Sequence, residues 1–347
     1  MIKVLIVDDS AFMRSALSRM LGDDSEIEVV ATARDGEEGL EKIRKLKPDL
    51  VTLDLEMPRM DGLTALEKIM QEMPLPVLVV SSLTTEGAQM SLRALDLGAV
   101  DFIPKDLSYA SLNILNIRKT LIEKVKTVTK RRFRSSPRRR KASLIPVILP
   151  KSRPRGHARI VAIGASTGGP PAVETVISSL PKNFPCSILV IQHMPAVFTA
   201  SFAQRLDSIC QLSVREAQNG DQVSAGEVLI APGGLHMRVS YSQRNRGSVE
   251  VTISEEPKIS LYKPSVNATI LSVAEMYGPA SLGVILTGMG NDGLDGIRAI
   301  KSKNGKVIAQ EEQSCVVYGM PKAVVDEGLA DKILAVEEIP GEIVQSI

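Results

Sequence analysis

The chain has 347 residues, of which 44% are hydrophobic, 24% charged and only 3% aromatic, with no Trp. That length exceeds what one hydrophobic core usually fills, so two domains are expected; the apolar and charged balance argues against disorder of the whole chain, and the scarcity of aromatics against a stacking platform for single-stranded nucleic acid. The formal net charge of +2 conceals an asymmetry: residues 124–173 hold 14 Lys or Arg and no Asp or Glu, leaving 28 basic against 40 acidic residues elsewhere.

At the N-terminus the apolar run before Asp8 and Asp9 is too short and too soon acidic for a signal peptide. No apolar stretch reaches the roughly 18 residues of a membrane helix, so a soluble, cytoplasmic protein without membrane insertion is expected. Apolar runs at 4–7, 29–31, 50–53, 77–80 and 102–103 read as five strands separated by amphipathic stretches, the pattern of βαβ units on a parallel sheet. Between the first two, Phe12, Met13, Ala16, Leu17, Met20 and Leu21 recur at helical spacing, with Ser10 placed to cap and Gly22 to end the helix. Residues 1–120 are therefore read as a five-stranded, doubly wound α/β domain.

In doubly wound sheets functional groups gather at the carboxyl ends of strands. There the sequence places Asp8 and Asp9 after the first strand, Asp54 after the third, Ser81 at the end of the fourth and Lys105 after the fifth. Three converging carboxylates repel one another unless a cation joins them, and they make an oxygen site suited to Mg²⁺. Asp54 can then attack a phosphoryl group whose oxygens Lys105 and Ser81 hold. Each residue alone is an ordinary loop or cap residue; five at four strand ends are not.

These residues carry a resemblance. Val7-Asp8-Asp9-Ser10, Asp54-Leu55-Glu56-Met57-Pro58-x-x-Asp61-Gly62 and Asp101-Phe102-Ile103-x-Lys105 resemble a response-regulator receiver domain of flavodoxin-like fold. The resemblance implies Asp54 as phosphoacceptor, Mg²⁺ held by Asp8, Asp9, Asp54 and the Glu56 backbone carbonyl, and a switch formed by Ser81, Phe102 and Lys105. Receivers commonly carry Lys-Pro after the last strand, whereas here Pro104 precedes Lys105 and Asp106 follows.

Leu112, Leu115, Ile122 and Val125 can extend a helix beyond residue 107, and residues 121–157 read as a basic, Pro-containing linker. A solvated connector is favoured there over a patch for nucleic acid or lipid. From 158 to 347 a second α/β pattern follows, with runs at 160–163, 188–191, 228–231, 249–253, 284–287 and 306–309. No internal repeat links the halves, so a second doubly wound, mainly parallel sheet of different function is expected.

Its first strand runs into Gly164-Ala165-Ser166-Thr167-Gly168, a G-x-S-x-G turn that exposes a serine hydroxyl and lets the Thr167 N–H help form an oxyanion hole. A phosphate-cradling loop is the structural rival, but the spacing fits neither G-x-G-x-x-G nor the P-loop. Serine needs a base, and His193, directly after a strand, is the candidate. His157 lies in the linker; His236, after another strand end, is a possible substrate contact. Asp292, in a glycine-rich turn past a strand, suits the orienting carboxylate, with Asp295 a nearby competitor. Cys186, Cys210 and Cys315 are widely spaced and suggest neither zinc nor disulfides. The order Ser…His…Asp differs from that of α/β-hydrolases.

Gly164-Ala165-Ser166-Thr167-Gly168-Gly169, Gln192-His193-Met194-Pro195, Ala231-Pro232-Gly233 and Thr287-Gly288-Met289-Gly290-x-Asp292-Gly293 resemble the catalytic domain of chemotaxis protein-glutamate methylesterases, the CheB family. That resemblance implies Ser166 as nucleophile, His193 as base, Asp292 as its orienter and the Met289 N–H as second oxyanion donor. It also implies demethylation of methylated glutamates, and deamidation of selected glutamines, on chemotaxis receptors. A histidine kinase is the implied phosphodonor, and an unphosphorylated receiver is expected to cover the catalytic cleft. No cofactor is expected in the catalytic domain, leaving Mg²⁺ to the receiver alone. A DNA-binding response regulator would need a short helix-turn-helix output in place of this long strand-rich half. A catalytically silent scaffold would lack a member of the Ser166, His193 and Asp292 set, and none is missing.

Overall fold

In the computed structural model residues 1–105, 111–129, 158–243, 247–258 and 261–347 are described, 111–116 by backbone alone. The chain divides into two units, Met1–Lys141 and Ala142–Ile347. Asp106, His157 and most of the expected linker lie outside the described residues.

The first unit runs β1 (Ile2–Val7), α1 (Ala11–Gly22), β2 (Ile27–Ala33), α2 (Gly36–Leu46), β3 (Leu50–Asp54), α3 (Gly62–Glu72), β4 (Val77–Ser81), α4 (Thr85–Leu97), β5 (Asp101–Pro104) and α5 (Ser111–Thr129). The strands pair in parallel in the order β2-β1-β3-β4-β5, so the chain reverses direction across the sheet between β1 and β3. Apolar runs without alternation suit strands covered on both faces, and Val4, Leu5, Ile6, Leu50, Val51, Val77, Leu78 and Val79 are all 0% exposed. Each such side chain contributes about 1.5–3 kcal/mol by leaving water. The half-exposed Arg44–Glu72 pair contributes ~0–1 kcal/mol, so the core, not the surface ion pairs, decides the fold.

Ser10 caps α1 by accepting from the Met13 N–H, while Gly22 lies within the helix and Asp23 forms its C-cap. The linker boundary needs correction. α5 continues to Thr129 and buries Leu121, Val125 and Val128, so residues 121–129, expected in the linker, are helical. Their lysines are not solvated charge: Lys124 pairs with Asp101 at 2.6 Å, and Lys126 with Asp24 at 2.9 Å and Glu26 at 2.7 Å.

The second unit runs β6 (Ile160–Ala165), α6 (Gly169–Ser178), β7 (Ser187–Gln192), α7 (Ala196–Ile209), β8 (Ser213–Glu216), β9 (Glu227–Ile230), β10 (His236–Tyr241), β11 (Val249–Ser254), α8 (Val266–Tyr277), β12 (Ser281–Ile285), α9 (Leu294–Ser302), β13 (Lys306–Gln310), α10 (Met320–Asp326), β14 (Lys332–Leu334) and α11 (Ile339–Ser346). Seven strands pair in parallel as β14-β13-β12-β6-β7-β9-β8. The expected doubly wound, mainly parallel sheet is present. The run at 249–253 is not part of it: β11 pairs antiparallel with β10 in a separate two-stranded ribbon. Chain direction across the main sheet reverses between β6 and β12, and ligand crevices form at the carboxyl ends of strands at such a point. Among the described residues no helix is long and apolar enough to cross a membrane.

Candidate active site

The residues after β6, β7 and β12 converge where the strand order of the second unit reverses. Ser166 follows β6, and its N–H donates to the Thr287 carbonyl past β12 at 3.0 Å; the His193 N–H donates to the Ala165 carbonyl at 3.1 Å. The turn at Ser166 is completed by Gly168 in the left-handed region at φ 74°, where a side chain is strained. Gly288 answers a different need, since a Cβ there would lie 2.9 Å from the Ser166 Cβ and 2.3 Å from the Met320 sulfur. The side chain of Gln192, 2% exposed, donates from Nε2 to the Ser166 carbonyl at 2.9 Å and to the His193 carbonyl at 3.3 Å.

The structure brings the three expected residues together. His193 Nδ1 lies 3.2 Å from Ser166 Oγ, and His193 Nε2 lies 2.9 Å from Asp292 Oδ2. An imidazole between a hydroxyl and a carboxylate takes the tautomer with its proton toward the carboxylate, which leaves Nδ1 free to accept from the serine. The ring nitrogens thus exchange the places they hold in the serine-protease template. The competitor Asp295 is exposed and paired with Arg298 at 2.5 Å.

Asp292 sits at the N-terminus of α8. It accepts from Ser265 Oγ at 3.1 Å, the Val266 N–H at 2.7 Å and the Asn267 N–H at 3.0 Å, besides His193. Burial works to raise its pKa, but His193 and the Asn267 and Val266 amides outweigh it and hold the carboxyl below the usual range. Sequence reasoning missed this cradle. Its one available signal was Ser265, the N-cap of α8, which sits 27 residues before the acid it serves.

Thr167 is buried, and its N–H has no protein acceptor among the described residues. α6 opens with the Gly169 N–H on the Ser166 carbonyl at 2.7 Å, and Pro170 and Pro171 after it carry no N–H. Met289 follows Gly288, whose N–H is tied to the Val317 carbonyl at 3.0 Å. His236 corrects an expectation. It is 0% exposed and its Nδ1 accepts from the Ser265 N–H at 3.2 Å, so it does not face a ligand; burial lowers its pKa. Burial pushes the Cys186 thiol to about 11 and the Cys210 thiol to about 12, which removes both as rival nucleophiles.

In the first unit, one carboxylate oxygen each from Asp8, Asp9 and Asp54 lies within 4.8 Å of the others. Lys105 Nζ lies 2.6 Å from Asp54 and 3.3 Å from Asp8. Three carboxylates against one ammonium leave negative charge uncompensated, and the all-oxygen donor set fits Mg²⁺. Burial raises the Asp54 pKa to about 6 against the hydrogen bond from Lys105, with Asp8 adding repulsion; burial also raises Asp8. The Glu56 N–H donates to Asp54 Oδ1 at 3.1 Å. Ser81, buried at the end of β4, donates to the Gly87 carbonyl of α4 at 3.0 Å, and Phe102 is 5% exposed with Lys124 Nζ 5.8 Å from its ring centre.

Comparison with known proteins gives the same division. Residues 4–115 match the response regulator receiver domain family, and residues 161–343 match the CheB methylesterase family. A protein of Oleidesulfovibrio alaskensis named protein-glutamate methylesterase/protein-glutamine glutaminase 1 is 53% identical over all of both chains. A Pyrococcus horikoshii protein named protein-glutamate methylesterase/protein-glutamine glutaminase is 43% identical over 100% of this chain and 94% of its own. The crystal structure of the Thermotoga maritima CheB methylesterase catalytic domain is 44% identical, covering 55% of this chain and 99% of that one with a TM-score of 0.53.

Proposed function

Since the chain belongs to the CheB methylesterase family and carries a response-regulator receiver domain ahead of the catalytic one, we propose that it is a cytoplasmic, phosphorylation-activated serine hydrolase of γ-glutamyl methyl esters on chemotaxis receptors. The observation that carries the reading is the His193 ring bridging Ser166 and Asp292 at 3.2 and 2.9 Å.

In the proposed reaction Ser166 Oγ attacks the ester carbonyl as His193 Nδ1 takes its proton. The oxyanion is received by the Thr167 and Met289 N–H groups. Asp292, kept ionised by four donors, holds the Nε2–H and stabilises the imidazolium. His193 then returns the proton to the departing methoxide as methanol. Water attacks the acyl-enzyme with His193 again as base, which frees Ser166 and a γ-carboxylate. A glutamine side chain follows the same path with ammonia as the leaving group. None of these steps calls for a metal or organic cofactor.

In the receiver, Asp54 is the proposed phosphoacceptor from a histidine kinase. Asp8, Asp9, Asp54 and the Glu56 carbonyl would hold Mg²⁺, which when bound neutralises phosphoryl charge. Lys105 and Ser81 take phosphoryl oxygens, and Ser81 with Phe102 forms the switch. The added phosphoryl charge is the event that raises esterase activity in this reading.

The test is methanol release from methylated receptor membranes, with and without Mg²⁺ plus a small phosphodonor. Stimulated release in the wild type, none in Ser166→Ala and unstimulated release in Asp54→Ala is the expected result. No release with cognate receptors from a folded protein would sink the esterase reading.

A further inference from the structure

The loop that leads into α8 touches two members of the triad at once. Ser265 and the first two amides of α8 hold Asp292. Three residues earlier, the ring of Tyr262 lies flat on the His193 imidazole, with ring centres 4.2 Å apart and planes 10° from parallel. The segment between them is anchored: the Lys263 carbonyl accepts from the Gly234 N–H at 3.1 Å, and the Ser265 N–H donates to the buried His236 Nδ1 at 3.2 Å. At its far end the tyrosine hydroxyl approaches the Gly290 backbone in the loop that carries Met289; a Cβ at Gly290 would lie 3.4 Å from it.

An imidazole held by two hydrogen bonds can still roll about its Cβ–Cγ bond, which lifts one ring nitrogen and lowers the other out of the plane that holds Ser166 Oγ and Asp292 Oδ2, and hydrogen bonds weaken steeply with misalignment. A flat partner on one face stops the roll. The same face offers π density to the imidazolium that forms when His193 takes the proton.

We propose that Tyr262 is a positioning residue for His193, fixing the plane of the imidazole for proton transfer; this rests on the reading of Ser166, His193 and Asp292 as the hydrolytic apparatus. The contact is to the base and not to the reacting ester, so its loss falls on turnover and not on substrate affinity. The phenyl face, not the hydroxyl, carries the role.

The full-length chain is assayed for ester hydrolysis as wild type, Tyr262→Phe, Tyr262→Ala and Ser166→Ala, and each is prepared with labelled histidine for NMR. The chain has 3 histidines, so the ring resonances of His193 are identified by elimination with a His193→Gln sample. Tyr262→Ala is expected to lose ~10-fold in kcat with KM within about twofold, while Tyr262→Phe stays within about twofold of wild type in both. The His193 ring protons should sit upfield in wild type and Tyr262→Phe, from the ring current of the stacked partner, and move downfield in Tyr262→Ala. An alanine variant with unchanged kcat, a loss confined to KM, or His193 resonances that do not move between wild type and Tyr262→Ala would each overturn the proposal. Full activity in Ser166→Ala would overturn the triad reading instead, and the two failures stay distinct because the ring shift is read without turnover.

Discussion

Asp54 and Asp292 are the same residue type, similarly buried at 1% and 8% exposure, and each lies at a point where strand order reverses. Their surroundings move them in opposite directions. Asp54 shares a single ammonium, Lys105, with Asp8 and receives one backbone N–H, so burial prevails and its pKa rises to about 6. Asp292 receives two backbone N–H groups, a hydroxyl and an imidazole N–H, so its pKa falls despite burial. What separates a permanent anion from a carboxylate with unmet charge is the count of donors, not depth. The first suits orientation of a base; the second suits capture of a cation and a phosphoryl group.

The strongest test of the contrast is catalytic. Ser166→Ala should lower kcat by ~10⁶-fold, the scale of losing a triad nucleophile. Asp292→Asn should cost ~10⁴-fold by presenting the wrong tautomer to His193, measured as methanol release without phosphodonor. Chelation of Mg²⁺ should abolish the response to phosphodonor and leave that basal rate in place; a basal rate that falls with chelation would contradict the division of labour between the two sites.

Stability sharpens the comparison, because one substitution should act with opposite signs at the two positions. Asp54 has a raised folded pKa, so its contribution to stability is complete below its unfolded value near 3.8 and is lost as pH rises through about 6. Asparagine escapes that loss. Asp54→Asn should therefore raise the unfolding free energy of its unit by about 1–2 kcal/mol at pH 7.5 and not at pH 3.5. Asp292 has a lowered folded pKa, so its contribution is present above the unfolded value and lost as pH falls through the folded one. Asp292→Asn should destabilise its unit by about 2–3 kcal/mol at neutral pH. Thermal unfolding across this pH range decides both, and shifts of equal sign would refute the account. The smallest expected effect is that of Ser265→Ala, which removes one of the donors to Asp292 together with the α8 cap, at ~1 kcal/mol in thermal unfolding.

Much of this was legible in the sequence because both sites hang from strand ends, where one or two residues fix a position in space. Asp8, Asp54, Lys105, Ser166 and His193 needed only their strands to be recognised. What stayed hidden depends on contacts across the fold. Ser265, Val266 and Asn267 look like an ordinary helix start until Asp292 is folded onto them, and nothing local marks Tyr262 as the partner of His193. His236 reads alike whether it faces solvent or core. β10 ends at Tyr241 and β11 starts at Val249, a longer separation in sequence than the two residues that announce a hairpin. Lys124 and Lys126 inflated the basic run because their acidic partners lie more than twenty residues away.

The triad hangs from β12, β6 and β7, three adjacent strands in the middle of seven, with Ile160, Val161, Ala162, Ile163, Ile188, Leu189, Val190, Ile191, Val284 and Ile285 all 0% exposed. Amides in such strands exchange with solvent chiefly through global opening, not by local fraying. The strands that carry Ser166, His193 and Asp292 should therefore open only together with the whole unit, so these three residues rise from a foundation that stays put while their own loops move.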